Sequence, residues 1–242
     1  MARSLPVSIR HRGTGLGRAL ALGPVLLSAM SAAIIASVTI ASTAARSSGI
    51  GFGVDTIGAP PQDFEFGITG RGRPGRWITV YDESASHGVV VEQADRDPTE
   101  DRSAFAVYRP LSLQNFKASV HLKFMRGTIP TAGIAFRFAD ANNYYVLTAN
   151  ALQGRVDVWR VVDGKMQQIA GTEAEVVFSH WHTLEITAQA DAFTVTFDDS
   201  WLFTAFDRTF SKDGRLGLWT EEDTLTRFAR LDITALPSSD NR

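Results

Sequence analysis

Between Gly133 and Gly164, apolar side chains fall at every second position in three short runs separated by turn-forming residues. Ile134, Phe136 and Phe138 form the first run, Tyr145, Leu147 and Ala149 the second, and Val156 and Val158 the third. A period of two is the mark of a strand with one buried face. The runs are therefore read as strands Ile134–Phe138, Tyr144–Asn150 and Arg155–Val161. Ala139-Asp140-Ala141-Asn142 and Ala151–Gly154 are the turns between them, since Asp and Asn bond to nearby backbone and tolerate left-handed conformations. Asp163-Gly164 closes the third strand with a strong hairpin signal.

A one-residue slip would send every side chain to the other face, so burial selects the register. With a four-residue first turn, Phe136 faces Tyr145, and Ile134, Phe136, Phe138, Tyr145, Leu147, Ala149, Val156 and Val158 share one face. A five-residue turn would set Arg137 beside Leu147 and Val158, burying a charge without a partner. The preferred register places Arg137, Tyr144, Val146, Thr148, Asn150, Arg155, Asp157 and Trp159 on the opposite, mostly polar face, and leaves Asn143 and Arg160 near strand ends of the apolar one.

The same short-strand style continues in both directions. Asp63–Phe66, Trp77–Tyr81, Val89–Gln93, Ser103–Tyr108 and Ala118–Met125 precede the central hairpins; Trp181–Gln189, Phe193–Phe197, Leu202–Phe206, Arg215–Thr220 and Phe228–Leu236 follow them. No helical period of ten residues occurs beyond the N-terminal leader, and about a dozen strands with closely spaced turns predict an all-β, antiparallel jelly-roll β-sandwich. Gly70–Gly75, GRGRPG, has the glycine spacing of a dinucleotide loop, but Pro74 and a strand follow it where a helix is required, so it reads as a surface loop.

The leader changes the picture of the first 45 residues. Arg3, Arg10, Arg12 and Arg18 precede a low-charge run from Ala19 to Ala45, and no acid occurs before Asp55. This is the pattern of an export signal, with small residues near Ala45 suited to a signal peptidase and an uncleaved membrane anchor as the rival. The expected organisation is a signal peptide or anchor over 1–45, a linker or ordered tail over 46–62, the sandwich over 63–236 and a tail over 237–242, in a protein exported to the periplasm or the extracellular space. Without the four leader arginines, 20 of the 24 basic residues face 26 acids, a net charge of −6 that argues against nucleic acid as a partner. A membrane is expected only through an uncleaved leader. There is no cysteine, which removes disulfides, thiolate metal sites and thiol nucleophiles.

With these strands laid out, the chain resembles the concanavalin A-like jelly rolls, and within them the 3-keto-disaccharide hydrolase domain, a family 16-like glycoside hydrolase. The resemblance spans about Asp63 to Ile233 and rests on GIAFRFADANNYYVLTANAL, VWRVVDGK, WHTLEI, FTVTFDDSWLF and GRLGLWTEED, in that order. The chain departs from it at Asp199-Ser200, where the family commonly has Asp-Gly, and at Ala229-Arg230, where an Asp pair is common. Two classes of function follow: carbohydrate binding on the concave sheet face, and turnover of 3-keto-glycosides as glycoside hydrolase or lyase.

The paired carboxylates of a retaining glucanase, E-x-D-x-E or its bulged variant, are absent, and Glu221-Glu222-Asp223 reads as a solvated turn. The 3-keto chemistry implied by the resemblance needs a base and a group to hold an enolate oxygen. Asp157 as base with Arg137 or Arg155 as donor supplies them; the plainer reading is that Asp157 pairs with an arginine across the sheet. For binding, Trp159 and Tyr144 are the stacking plates and Asn150, Arg155, Arg137 and Asp157 the hydrogen-bonding partners. His180 and His182 are two apart and could share a metal with a carboxylate, but read better as hydrogen-bonded core-edge histidines. No cofactor is expected, and the sequence leaves room for a structural divalent cation. Carbohydrate or a glycoside is the expected partner.

Overall fold

The computed structural model describes residues 47–50, 52 and 57–237, so the expected leader lies outside the described residues. Fifteen strands follow in chain order: β1 (Ser47–Ile50), β2 (Phe64–Thr69), β3 (Trp77–Tyr81), β4 (Val89–Gln93), β5 (Ser103–Leu113), β6 (Phe116–Arg126), β7 (Thr131–Asp140), β8 (Asn143–Asn150), β9 (Arg155–Val162), β10 (Lys165–Glu173), β11 (His182–Gln189), β12 (Ala192–Phe197), β13 (Ser200–Phe206), β14 (Gly214–Glu221) and β15 (Leu225–Ala235). They form two antiparallel sheets in a jelly-roll β-sandwich, as the strand pattern predicts. One sheet runs β13-β12-β11-β6-β15-β4-β3, with β1 added to β15; the other runs β10-β9-β8-β7-β14-β5-β2. Strand β1 lies within the stretch read as linker or ordered tail and pairs Ile50 with Leu231.

The core lies between the sheets. Val120, Leu122, Leu184, Ile186 and Leu231 from the first meet Ile134, Phe136, Leu147, Val158 and Leu218 from the second, all fully buried. Tight hairpins set the neighbouring strands. Asp163 and Gly164 both have positive φ, at 49° and 75°, as a two-residue hairpin turn requires. Asp198-Asp199 does the same at 46° and 62° in the turn between β12 and β13. The edge strand β10 was not among the expected strands. Its sequence does not alternate, because it is bulged between Gln168 and Ala170 and exposed along much of its length.

The predicted register of β7 and β8 holds along most of the ladder, with Ile134 opposite Leu147 and Phe136 opposite Tyr145. It fails beyond Phe136, because Asp140 pairs with Asn143 and residues 137–139 bulge. Arg137 takes φ 44°, and Gly214 of β14 makes the bulge possible, since a Cβ there would lie 2.3 Å from the Arg137 carbonyl carbon. The bulge reverses two side chains. Phe138, expected in the core, joins a second apolar cluster on the outer face with Phe105, Tyr144 and Trp219; Arg137, expected on that face, turns inward. Arg160 keeps its expected side and reaches Asp207 at 2.8 Å, a carboxylate that also accepts from the Tyr145 hydroxyl at 2.6 Å.

On the outer face of the other sheet, Lys123 and Arg227 converge on buried Asp82 at 2.6 and 3.0 Å, and Ser84 donates to the same carboxylate. Burial would raise the Asp82 pKa, but these donors outweigh it and hold the group well below the usual carboxylate range. A depressed folded-state value gives stability that is complete above the unfolded value, about 3.9, and is lost as pH falls below it. Asp82→Asn should therefore cost roughly 1–3 kcal/mol at neutral pH and flatten the acid limb of a stability–pH curve. Urea unfolding from about pH 7 to pH 3 measures both; an unchanged acid limb would show that another carboxylate governs it.

Candidate functional site

Because Leu147, Val156, Val158 and Leu218 point into the core, the alternating residues Thr148, Asp157, Trp159 and Trp219 point to the opposite side of the sheet. There they line a cavity of about 620 Å³, closed by the loops at Gly70-Arg71, Asp101 and Gln153 and by the start of β10. The GRGRPG stretch is thus a loop, as expected, and also part of the cavity wall.

The floor is polar but internally satisfied. The Trp219 indole N–H donates to the Tyr144 hydroxyl at 3.1 Å, Tyr144 and Thr69 share a 2.7 Å hydrogen bond, and Thr69 donates to the Ala141 carbonyl. Burial pushes the Tyr144 phenol up to about 12, so it stays a neutral hydroxyl. Tyr144 is fully buried against Phe138, ring centres 5.1 Å apart, and supports the floor; the expectation that it presents a stacking surface is corrected.

Above the floor, Trp159 donates its Nε1–H to Thr148 Oγ1 at 3.1 Å. Its polar edge is thus turned to the protein, and the partly buried ring packs at the margin of the outer apolar cluster and lines the cavity. Asp157 is buried and accepts through Oδ1 from Arg155 and from Gln168, each at 2.8 Å. The Asp157–arginine pair expected from the sequence is therefore present, along one strand rather than across two. Its neighbour on β10 is Gly171, where a Cβ would sit 1.7 Å from Oδ1, so glycine leaves the room the carboxylate occupies. Asn150 also lines the cavity, but its amide is spent on Thr131 and on the backbone of Leu152 and Gln153, and it shapes the β8–β9 turn.

The structure does not bring Arg137 to this place. Arg137 is 1% exposed, and its guanidinium donates to the carbonyls of Gln114, Phe210 and Ala190, tying three loops at one end of the sandwich. Of the six residues singled out from the sequence, Asn150, Asp157 and Trp159 line the cavity, Tyr144 lies beneath it, Arg155 stands behind Asp157 as its ion-pair partner, and Arg137 is elsewhere. Glu221 is the reverse case. Instead of standing in a solvated turn it ends β14, two residues after Trp219 on the same face, and lines the cavity. Burial, aided by neighbouring Glu222 and Asp101, raises its pKa, with a hydrogen bond from Thr131 opposing in part. The W-x-E spacing carried that signal. Arg102, fully buried, holds the surrounding loops by donating to the carbonyls of Arg73 and Glu222 and pairing with Asp95 at 3.0 Å.

His182 is buried, with Nδ1 2.6 Å from Asp198 and Nε2 beside the Val177 backbone, whereas His180 is exposed. Among the described residues no group of three or more His, Asp or Glu is arranged to hold a metal.

The arrangement of sheets has counterparts among solved structures. Carbohydrate binding module CBM66 from Bacillus subtilis matches with a TM-score of 0.55 at 20% identity, over 69% of this chain and 94% of that one. The fold is the concanavalin A-like jelly roll. A protein of unknown function from Shewanella oneidensis MR-1 matches at 0.51 with 13% identity, over 82% of this chain and 89% of that one. A protein of unknown function with a galectin-like fold from Bacillus subtilis matches at 0.50 with 5% identity, over 72% and 91%. No protein-family model and no curated protein sequence matches the chain. At these identities the likeness is one of fold, and the chemistry must be read from the cavity itself.

Proposed function

We propose that the protein binds carbohydrate in the outer-face cavity, with the Trp159 ring as the surface on which a sugar stacks. The observation that carries this reading is the fixed Trp159 indole, hydrogen-bonded to Thr148, beside an Asp157 carboxylate that Arg155 and Gln168 hold in place. A sugar offers an apolar ring face bounded by hydroxyls, which suits an aromatic plate next to a pre-oriented acceptor and donor. The cavity's volume falls within the range of small-ligand sites. The fold shared with a carbohydrate-binding module supports the reading.

A second reading, turnover of a 3-keto-glycoside, is favoured by one observation: Asp157, which lines the cavity, has the guanidinium of Arg155 2.8 Å away. A ketone acidifies the neighbouring C–H, so Asp157 would take that proton while Arg155 steadies the enolate oxygen; a C=C bond then forms as the glycosidic C–O bond breaks, and the departing oxygen takes up a proton from Asp157 or water. Incubating the protein with glycosides and 3-keto-glycosides, and following both binding and product, separates the readings. Asp157→Asn that binds but has lost at least about a hundredfold in turnover supports the enzyme. Binding without turnover in either protein supports the module, and no binding to any sugar overturns both.

A further inference from the structure

The carboxylate of Glu221 has no part in the stacking site just described, yet it faces the same space. Asp157, the other inner acid, is neutralised by Arg155 at 2.8 Å. Glu221 has no such partner: among the described residues the charged groups that act on it are Glu222 and Asp101, both acids. The nearby guanidinium of Arg102 is committed to two carbonyls and to Asp95. The cations of the cavity wall, Arg71 and Lys165, are exposed to solvent. Trp219, two residues earlier on β14, and Trp159 bound the same space with apolar rings.

We propose that the sugar bound in this cavity carries a free amine, whose ammonium group pairs with Glu221. The inference rests on the carbohydrate reading and narrows it to hexosamines. A half-buried carboxylate among like charges is penalised until a cation reaches it, and an ammonium ion also donates the hydrogen bonds an ionised carboxylate accepts. A uronic acid would bring one more carboxylate to Asp101, Asp157 and Glu221, which like-charge repulsion disfavours. N-acetylation removes the charge and adds bulk. Because Glu221 is held above its ordinary pKa in the free protein, pairing lowers that value, and binding releases a proton wherever the free carboxyl is part-protonated.

Calorimetry with β-1,4-linked tetrasaccharides of glucosamine, N-acetylglucosamine, glucose and galacturonate, at about pH 5.5 where the amine is protonated, tests this on the whole protein. The glucosamine tetramer should bind about tenfold or more tightly than the glucose tetramer, as a charge-assisted hydrogen bond implies. Its binding heat should vary with buffer ionisation enthalpy, reporting proton release. Glu221→Gln should bring the two tetramers to within about threefold of each other. Equal binding of the amine and N-acetyl forms by the parent, or a preference that survives Glu221→Gln, overturns the inference. The parent comparison and the proton release stand even if the variant does not fold. If neutral sugars bind through Trp159 without amine preference, the inference alone fails; if none of the four binds, the carbohydrate reading falls with it.

Discussion

Replacing Phe136 by alanine is expected to lower the unfolding free energy by about 3–5 kcal/mol, enough to consume a large share of an ordinary domain's stability. The side chain is fully buried between the sheets, with ring centres 5.2 Å from Tyr145, 5.2 Å from Phe193 and 5.9 Å from Phe116. Those partners belong to β8, β12 and β6, so the void would open where both sheets meet. Strands cross-linked by ladders on both sides cannot collapse into it, and the lost contacts add to the lost transfer energy. Denaturant unfolding of parent and variant measures the difference. A cost below about 1 kcal/mol, the size of a surface change, would mean that Phe136 is not where β7 places it.

Trp159→Ala is expected to weaken sugar binding by at least about 2 kcal/mol, roughly thirtyfold in Kd, while shifting stability by no more than about 1 kcal/mol. The two effects separate because Trp159 is only partly buried and lies outside the core between the sheets, packing at the margin of the outer apolar cluster. Its truncation leaves Thr148 with its bond to the Asp157 backbone. The pocket would then keep its polar groups and lose the surface that orients a sugar ring above them. Titration against the sugar that binds the parent best, paired with thermal melts of both proteins, gives the two numbers. Parental affinity in a folded variant would move the binding surface off this wall of the cavity.

Most of the strands, the sandwich and most of one register were legible in the sequence. Alternation of Ile134, Phe136, Leu147, Val156 and Val158 specifies which face is buried, and Asp163-Gly164 specifies a turn that needs two positive φ angles. Choosing the face by burial was enough to bring Thr148, Asn150, Asp157 and Trp159 together on the other side, since neighbours on a pleated face are set by register alone. Tertiary structure decided the rest. A bulge at residues 137–139, accommodated by Gly214 on a strand distant in sequence, turned Arg137 inward and Phe138 outward. Nothing within β7 announces that exchange, because the space for it is provided by another strand. Tyr144 was legible as an outer-face residue, but its burial depends on Trp219 and Thr69, which only the packing of β14 and β2 brings to it. Glu221 follows the same logic: a charged residue at a strand end reads as solvated until the loops at Gly70-Arg71 and Asp101 fold over its face and make that end the wall of a cavity.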